Sequence, residues 1–73
     1  MIIMFKTIKI EGSFYRVSLE VATRIEHLQR IAMVYKADGN YERYEKCQED
    51  IYDIMDRALF DKEAYEIDES EVA

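Results

Sequence analysis

The chain has no proline and only two glycines, so strong backbone punctuation is confined to two places in its 73 residues. One is Asp38-Gly39-Asn40. Gly39 can take a positive φ as a helix C-terminal cap, and Asn40 is a good N-cap for whatever follows. Long segments with helical periodicity flank this break. "LEVATRIEHLQRIAMVYKA" predicts a helix over 19–37, with Ser18 as N-cap and Glu20 in the first turn. "YERYEKCQEDIYDIMDRALF" predicts a second helix over 41–60, with an extension to Tyr65 left open. So short a link makes the two helices antiparallel neighbours.

The other glycine lies between two β-rich segments, and residues 3–17 read as a β-hairpin. Gly12-Ser13 suits a two-residue type II′ turn. That turn pairs Glu11 with Phe14, Ile10 with Tyr15, Lys9 with Arg16 and Ile8 with Val17. Ile8, Ile10, Tyr15 and Val17 then share one apolar face, as a correct register requires. A two-stranded hairpin is not stable alone and must lay that face on something else. In the first helix Val21, Ile25, Leu28, Ala32 and Tyr35 form a core stripe. Leu19, Ala22, Met33 and Val34 lie off it, which calls for a second cover: the hairpin or another subunit. The expected fold is α+β, a single domain over 1–73: an N-terminal β-hairpin packed on an antiparallel two-helix hairpin. An acidic C-terminal tail, 66–73, reads as frayed.

So short a chain buries roughly 60 % of its unfolded surface, and small scaffolds usually need a staple. The lone cysteine, Cys47, has no disulfide partner, and His27 is the only histidine. Oligomerisation is the staple that remains, so a homodimer or higher homo-oligomer is expected. A free thiol fits a reducing, cytoplasmic setting. "MIIMFKTIKI" has too short an apolar run for a signal peptide or a membrane span. No cofactor is expected.

Charge is uneven along the chain. Residues 1–37 carry six bases and three acids, net +3; residues 38–60 carry three and seven, net −4. Residues 61–73 carry one base and six acids, net −5, which completes the total of −6. The bases are scattered and outnumbered, which disfavours direct nucleic-acid binding. An acidic back half suits a basic protein surface; it equally serves solubility.

On a helical wheel the second helix sorts its residues sharply. Tyr44, Cys47, Ile51, Ile54, Met55 and Ala58, with Tyr41, Tyr52 and Leu59 at one edge, share a broad apolar face. Glu42, Glu45, Glu49, Asp53 and Asp56 fall on one contiguous stripe bordered by Tyr41 and Tyr52. Stacking like charges at i,i+4, as in Glu45–Glu49 and Glu49–Asp53, costs roughly 0.2–0.5 kcal/mol per pair. Solubility alone does not require that arrangement. The five acids, with Tyr52 as an aromatic anchor, are the candidate partner-binding site.

Other constellations carry less. Asp38 to Glu49 places acids at calcium-loop positions, but Arg43 stands where the sharp turn needs glycine. His27 and Cys47 point away from each other and form no nucleophile–base pair. "AMVYKADGNYERYEKCQEDI" resembles the middle of a tetratricopeptide repeat through Tyr35, Gly39 and Tyr41. It occurs once, whereas such solenoids need three or more units. It therefore implies a helical hairpin and no superhelix. Ile10, Gly12, Tyr15, Val17, Ser18, Glu20 and Val21 resemble the basic-strand, glycine-turn, capped-helix opening of small bacteriophage accessory proteins. That resemblance implies a protein that blocks a host or defence protein by binding it and rarely catalyses.

These readings lead to a non-enzymatic protein-binding module, a phage-type inhibitor whose acidic helix face meets a basic surface. In one version the stripe mimics nucleic-acid phosphates. One alternative is an oligomer that sequesters a small molecule or nucleotide between subunits, using tyrosines with Arg24 and Arg30. Another is a structural subunit that only self-associates.

Overall fold

The computed structural model describes residues 4–72. The chain reverses direction at three places, and each has left-handed backbone: Glu11 and Gly12 (φ 46° and 85°), Gly39 (φ 76°) and Lys62 (φ 61°). These turns separate strand β1 (Phe5–Ile10), strand β2 (Ser13–Ser18), helix α1 (Leu19–Ala37), helix α2 (Tyr41–Phe60) and strand β3 (Ala64–Ile67). A short 3₁₀ turn, Glu69–Glu71, follows.

The first reversal corrects the expected hairpin. Two successive residues at positive φ make a type I′ turn centred on Glu11-Gly12, not a type II′ turn on Gly12-Ser13. Ile10 therefore pairs with Ser13, Lys9 with Phe14, Ile8 with Tyr15 and Lys6 with Val17. Moving the turn by one residue shifts the pairing by two, and two is the side-chain period of a strand. The expected apolar face survives: Ile8, Ile10 and Val17 are buried and Tyr15 packs beside them. The β1 strand begins at Phe5; residue 3, the expected start of the hairpin, lies outside the described residues.

Both helices end in the same hydrogen-bonded cap. After α1, Asn40 N–H donates to the Tyr35 carbonyl at 2.8 Å and Gly39 N–H to that of Lys36 at 3.1 Å. After α2, Glu63 N–H donates to the Ala58 carbonyl at 2.8 Å and Lys62 N–H to that of Leu59 at 3.3 Å. This paired pattern is the Schellman motif, which places one left-handed residue just past the helix. Gly39 fills that place in the first case and Lys62 in the second. The α2 helix consequently stops at Phe60 and does not run on to Tyr65. Asn40 also starts α2, its side chain accepting from Arg43 N–H at 3.3 Å. Ser18 does the same for α1, accepting from Val21 N–H at 3.4 Å.

The largest departure from expectation follows that second cap. Residues 66 and 67 of the expected tail belong to β3, which pairs antiparallel with β2, Val17 against Ala64 and Phe14 against Ile67. The sheet is thus three-stranded and antiparallel, in the order β1-β2-β3. Of the expected tail, residue 73 lies outside the described residues.

One core lies between the sheet and the helix pair. Ile8, Ile10, Val17 and Ala64 from the strands meet Val21, Ala22 and Ile25 of α1 and Ile51, Met55 and Ala58 of α2. Ile25, Ile51 and Val17 are fully enclosed, each worth about 2 kcal/mol of transfer free energy. The sheet is held to α1 at 2.9 Å by Lys6–Glu26 and at 3.1 Å by the Gln29 amide donating to the Lys9 carbonyl. The exposed ion pair adds at most about 1 kcal/mol. Of the residues off the α1 core stripe, Ala22 is covered by this packing. Leu19, Met33 and Val34 stay exposed.

The acidic face of the second helix as candidate functional site

The sheet and α1 cover one side of α2, and its other side faces outward. Cys47, Ile51, Met55 and Ala58 point inward and are buried; Tyr44 and Ile54 are half-buried. Glu42, Glu45, Glu49, Asp53 and Asp56 are all exposed. Among the described residues none of these five carboxylates forms an ion pair; Lys46 is held by Asp50 at 3.1 Å. Hydrogen bonding to Asp50 and its charge raise the Lys46 ammonium above its ordinary pKa. This lysine borders the stripe, and the charges of Glu49 and Asp53 raise it further.

The stripe is not uniform. Glu42, Glu45 and Glu49 gather on one shallow surface with Asn40, Arg43 and Lys46. Asp53 stands at the edge of a groove between the helices that also contains Arg24. Asp56 is exposed one turn further on. Tyr52 is 41 % exposed, but it leans toward the hairpin turn. Hydrogen bonding to the Glu11 carboxylate is the main cause that raises its phenol pKa, with loss of hydration second. Gln48 reaches the same carboxylate, donating from its amide at 3.5 Å. Glu11 thus carries a left-handed backbone and a side chain that ties the hairpin to α2. Tyr52 is a half-exposed side chain at the border of the stripe, beside Glu11.

Phe60 was missed by sequence reasoning. It is 86 % exposed at the last position of α2. On the wheel it shares the angle of Glu42, and it follows Asp56 by four residues. Carrying the wheel one residue past Leu59 would have found it. An aromatic left this bare at the end of an acid stripe is the stronger anchor candidate.

The remaining candidates are dispersed. Arg24 lines the inter-helix groove, whereas Arg30 lies with Met33 and Val34 on a different patch of α1. His27 is exposed and Cys47 buried. Among the described residues no group of three His, Cys, Asp or Glu side chains is placed to hold a metal ion, and no helix is long and apolar enough to cross a membrane. No family model, curated protein or solved structure matches the chain.

Proposed function

We propose that this chain is a binding protein, not a catalyst, and that the outward face of α2 captures a basic surface on another protein. The observation that carries this reading is the stripe itself: five exposed carboxylates without ion-pair partners among the described residues, ending at the bare ring of Phe60. Exposed carboxylates facing a basic surface confer specificity and a fast encounter, and the ring supplies apolar contact area.

The stripe from Glu42 to Asp56 covers about 21 Å of helix axis. One DNA strand carries a phosphate about every 3.4 Å, so five carboxylates approach that charge density. The finer proposal is a phage-type inhibitor that acts in the host cytoplasm. It would occupy a host or defence protein's nucleic-acid groove with acids in place of phosphates.

The test is capture from a host lysate with two baits, the wild-type chain and Glu45→Lys/Glu49→Lys. The wild type should retain a basic protein that added duplex DNA displaces. The charge-reversed bait should lose it while keeping its melting temperature. Equal capture by both would remove the stripe from the mechanism.

A further inference from the structure

The helix pair has a second uncovered side. Glu26 and Gln29 of α1 touch β1, and Gln48 of α2 reaches Glu11. Arg24 and Asp50 each stand two residues from one of these contacts, about 160° round the helix. They therefore lie on the side away from the sheet. A groove of about 430 Å³ runs between the helices there, floored by Leu28 and Ile54. It continues as a second hollow over Val21 and Ala58. None of the residues lining either hollow belongs to a strand.

The two banks of this groove differ in charge. Arg24 and His27 stand on α1. Asp50 and Asp53 stand on α2, with Asp61 and Glu63 just beyond, against one base, Arg57. Asp50 is already engaged by Lys46. Arg24 and Asp53 line both hollows, so they stand at one level of the groove. Among the described residues they form no ion pair with each other.

We propose that this face is a homodimer interface, occupied by the same face of a second copy. Symmetry and charge together select the arrangement. A closed dimer needs a two-fold axis lying in the plane of the interface. An axis across the helices would stack α1 on α1 and set Arg24 against Arg24. An axis along the helices stacks α1 of each copy on α2 of the other and leaves every residue at its own level. Arg24 of each copy then meets Asp53 of the other, and the contact is made twice. The four helices form a bundle that covers the half-buried Leu28 and Ile54, with the two sheets outermost. This supplies the staple that so short a chain lacks. The inference shares Asp53 with the acidic stripe but does not rest on partner capture there, because Arg24 and the groove floor are no part of the stripe and the Glu45→Lys/Glu49→Lys test leaves Asp53 in place.

The experiment is sedimentation of the full chain over a concentration series at low salt. The wild type should reach twice the chain mass of 8.7 kDa. Arg24→Asp and Asp53→Arg should each give a monomer, and the double variant should recover the dimer by exchanging the charges. Lys9→Glu, on the outer face of the sheet, should leave the mass unchanged. Circular dichroism checks folding. If a reversed variant unfolds, the milder Arg24→Gln and Asp53→Asn should still weaken the dimer about tenfold. A wild type that stays monomeric throughout, a dimer indifferent to Arg24, a double variant without recovery, or a dimer broken by Lys9→Glu would overturn the proposal.

Discussion

Val17 of β2 stands opposite Ala64 of β3, and this pairing turns a hairpin into a three-stranded sheet. Val17 is completely enclosed, and Ala64 and Ile67 are buried. A chain ending at Asp61 should therefore lose about 3 kcal/mol, the transfer free energy of one large and one small apolar side chain plus the ladder bonds. The urea midpoint reads this directly. An unchanged midpoint would mean that the C-terminal strand contributes nothing to the fold.

The two helix caps make a matched experiment. Lys62 adopts the left-handed backbone that Gly39 adopts in the same motif. A residue with a Cβ pays about 1 kcal/mol for that conformation. Lys62→Gly should accordingly stabilise the chain by about 1 kcal/mol, and Gly39→Ala should destabilise it by a similar amount. No atom lies within 4 Å of a Cβ built at Gly39, so the cost there is conformational and not a clash. Thermal melts of both variants check the signs, and a destabilised Lys62→Gly would contradict the cap assignment.

Tyr52 and Glu11 predict a pH effect. The phenol pKa is raised, first by hydrogen bonding to Glu11. A folded-state value above the unfolded one, about 10 for tyrosine, means that the folded chain holds this proton more tightly. The resulting stability is fully present below pH 10 and disappears as pH rises through the folded value. Glu11→Gln should bring the Tyr52 titration down toward the ordinary tyrosine value, read by ring NMR shifts. An unmoved titration would remove Glu11 as the cause.

Much of this fold was legible because period and parity survive local error. The hairpin turn was misplaced by one residue, yet Ile8, Ile10, Tyr15 and Val17 kept their common face, since the pairing moved by two. Gly39 and Asn40 marked the helix break, because their backbone and capping preferences are strong. The third strand was hidden for two physical reasons. Lys62 stops α2 in a conformation that lysine rarely adopts, so no glycine announced the end. Ala64 and Ile67, the buried residues of β3, are three apart and fall on opposite faces of the strand, a spacing that reads as helix. The site divides the same way. The wheel placed five acids on one exposed side. It could not show that Asp53 borders a groove with Arg24, or that Gln48 reaches Glu11 at the hairpin turn.

The acidic face makes a further claim about its two ends. Phe60 is far more exposed than Tyr52, so Phe60→Ala should weaken partner binding by about 2 kcal/mol or more, as truncated aromatic anchors do. Tyr52→Phe should leave binding within about 0.5 kcal/mol, because Glu11 on this chain is the main influence on its hydroxyl. Calorimetry with the captured partner ranks the two, and the reverse order would return the anchor to Tyr52.

The most direct test of the account is paired capture with the wild type and Glu45→Lys/Glu49→Lys, each with its melting temperature. The account predicts a basic partner retained by the first bait and lost by the second, with both melting alike. Equal retention by the two baits would contradict it and leave the stripe a solvated surface.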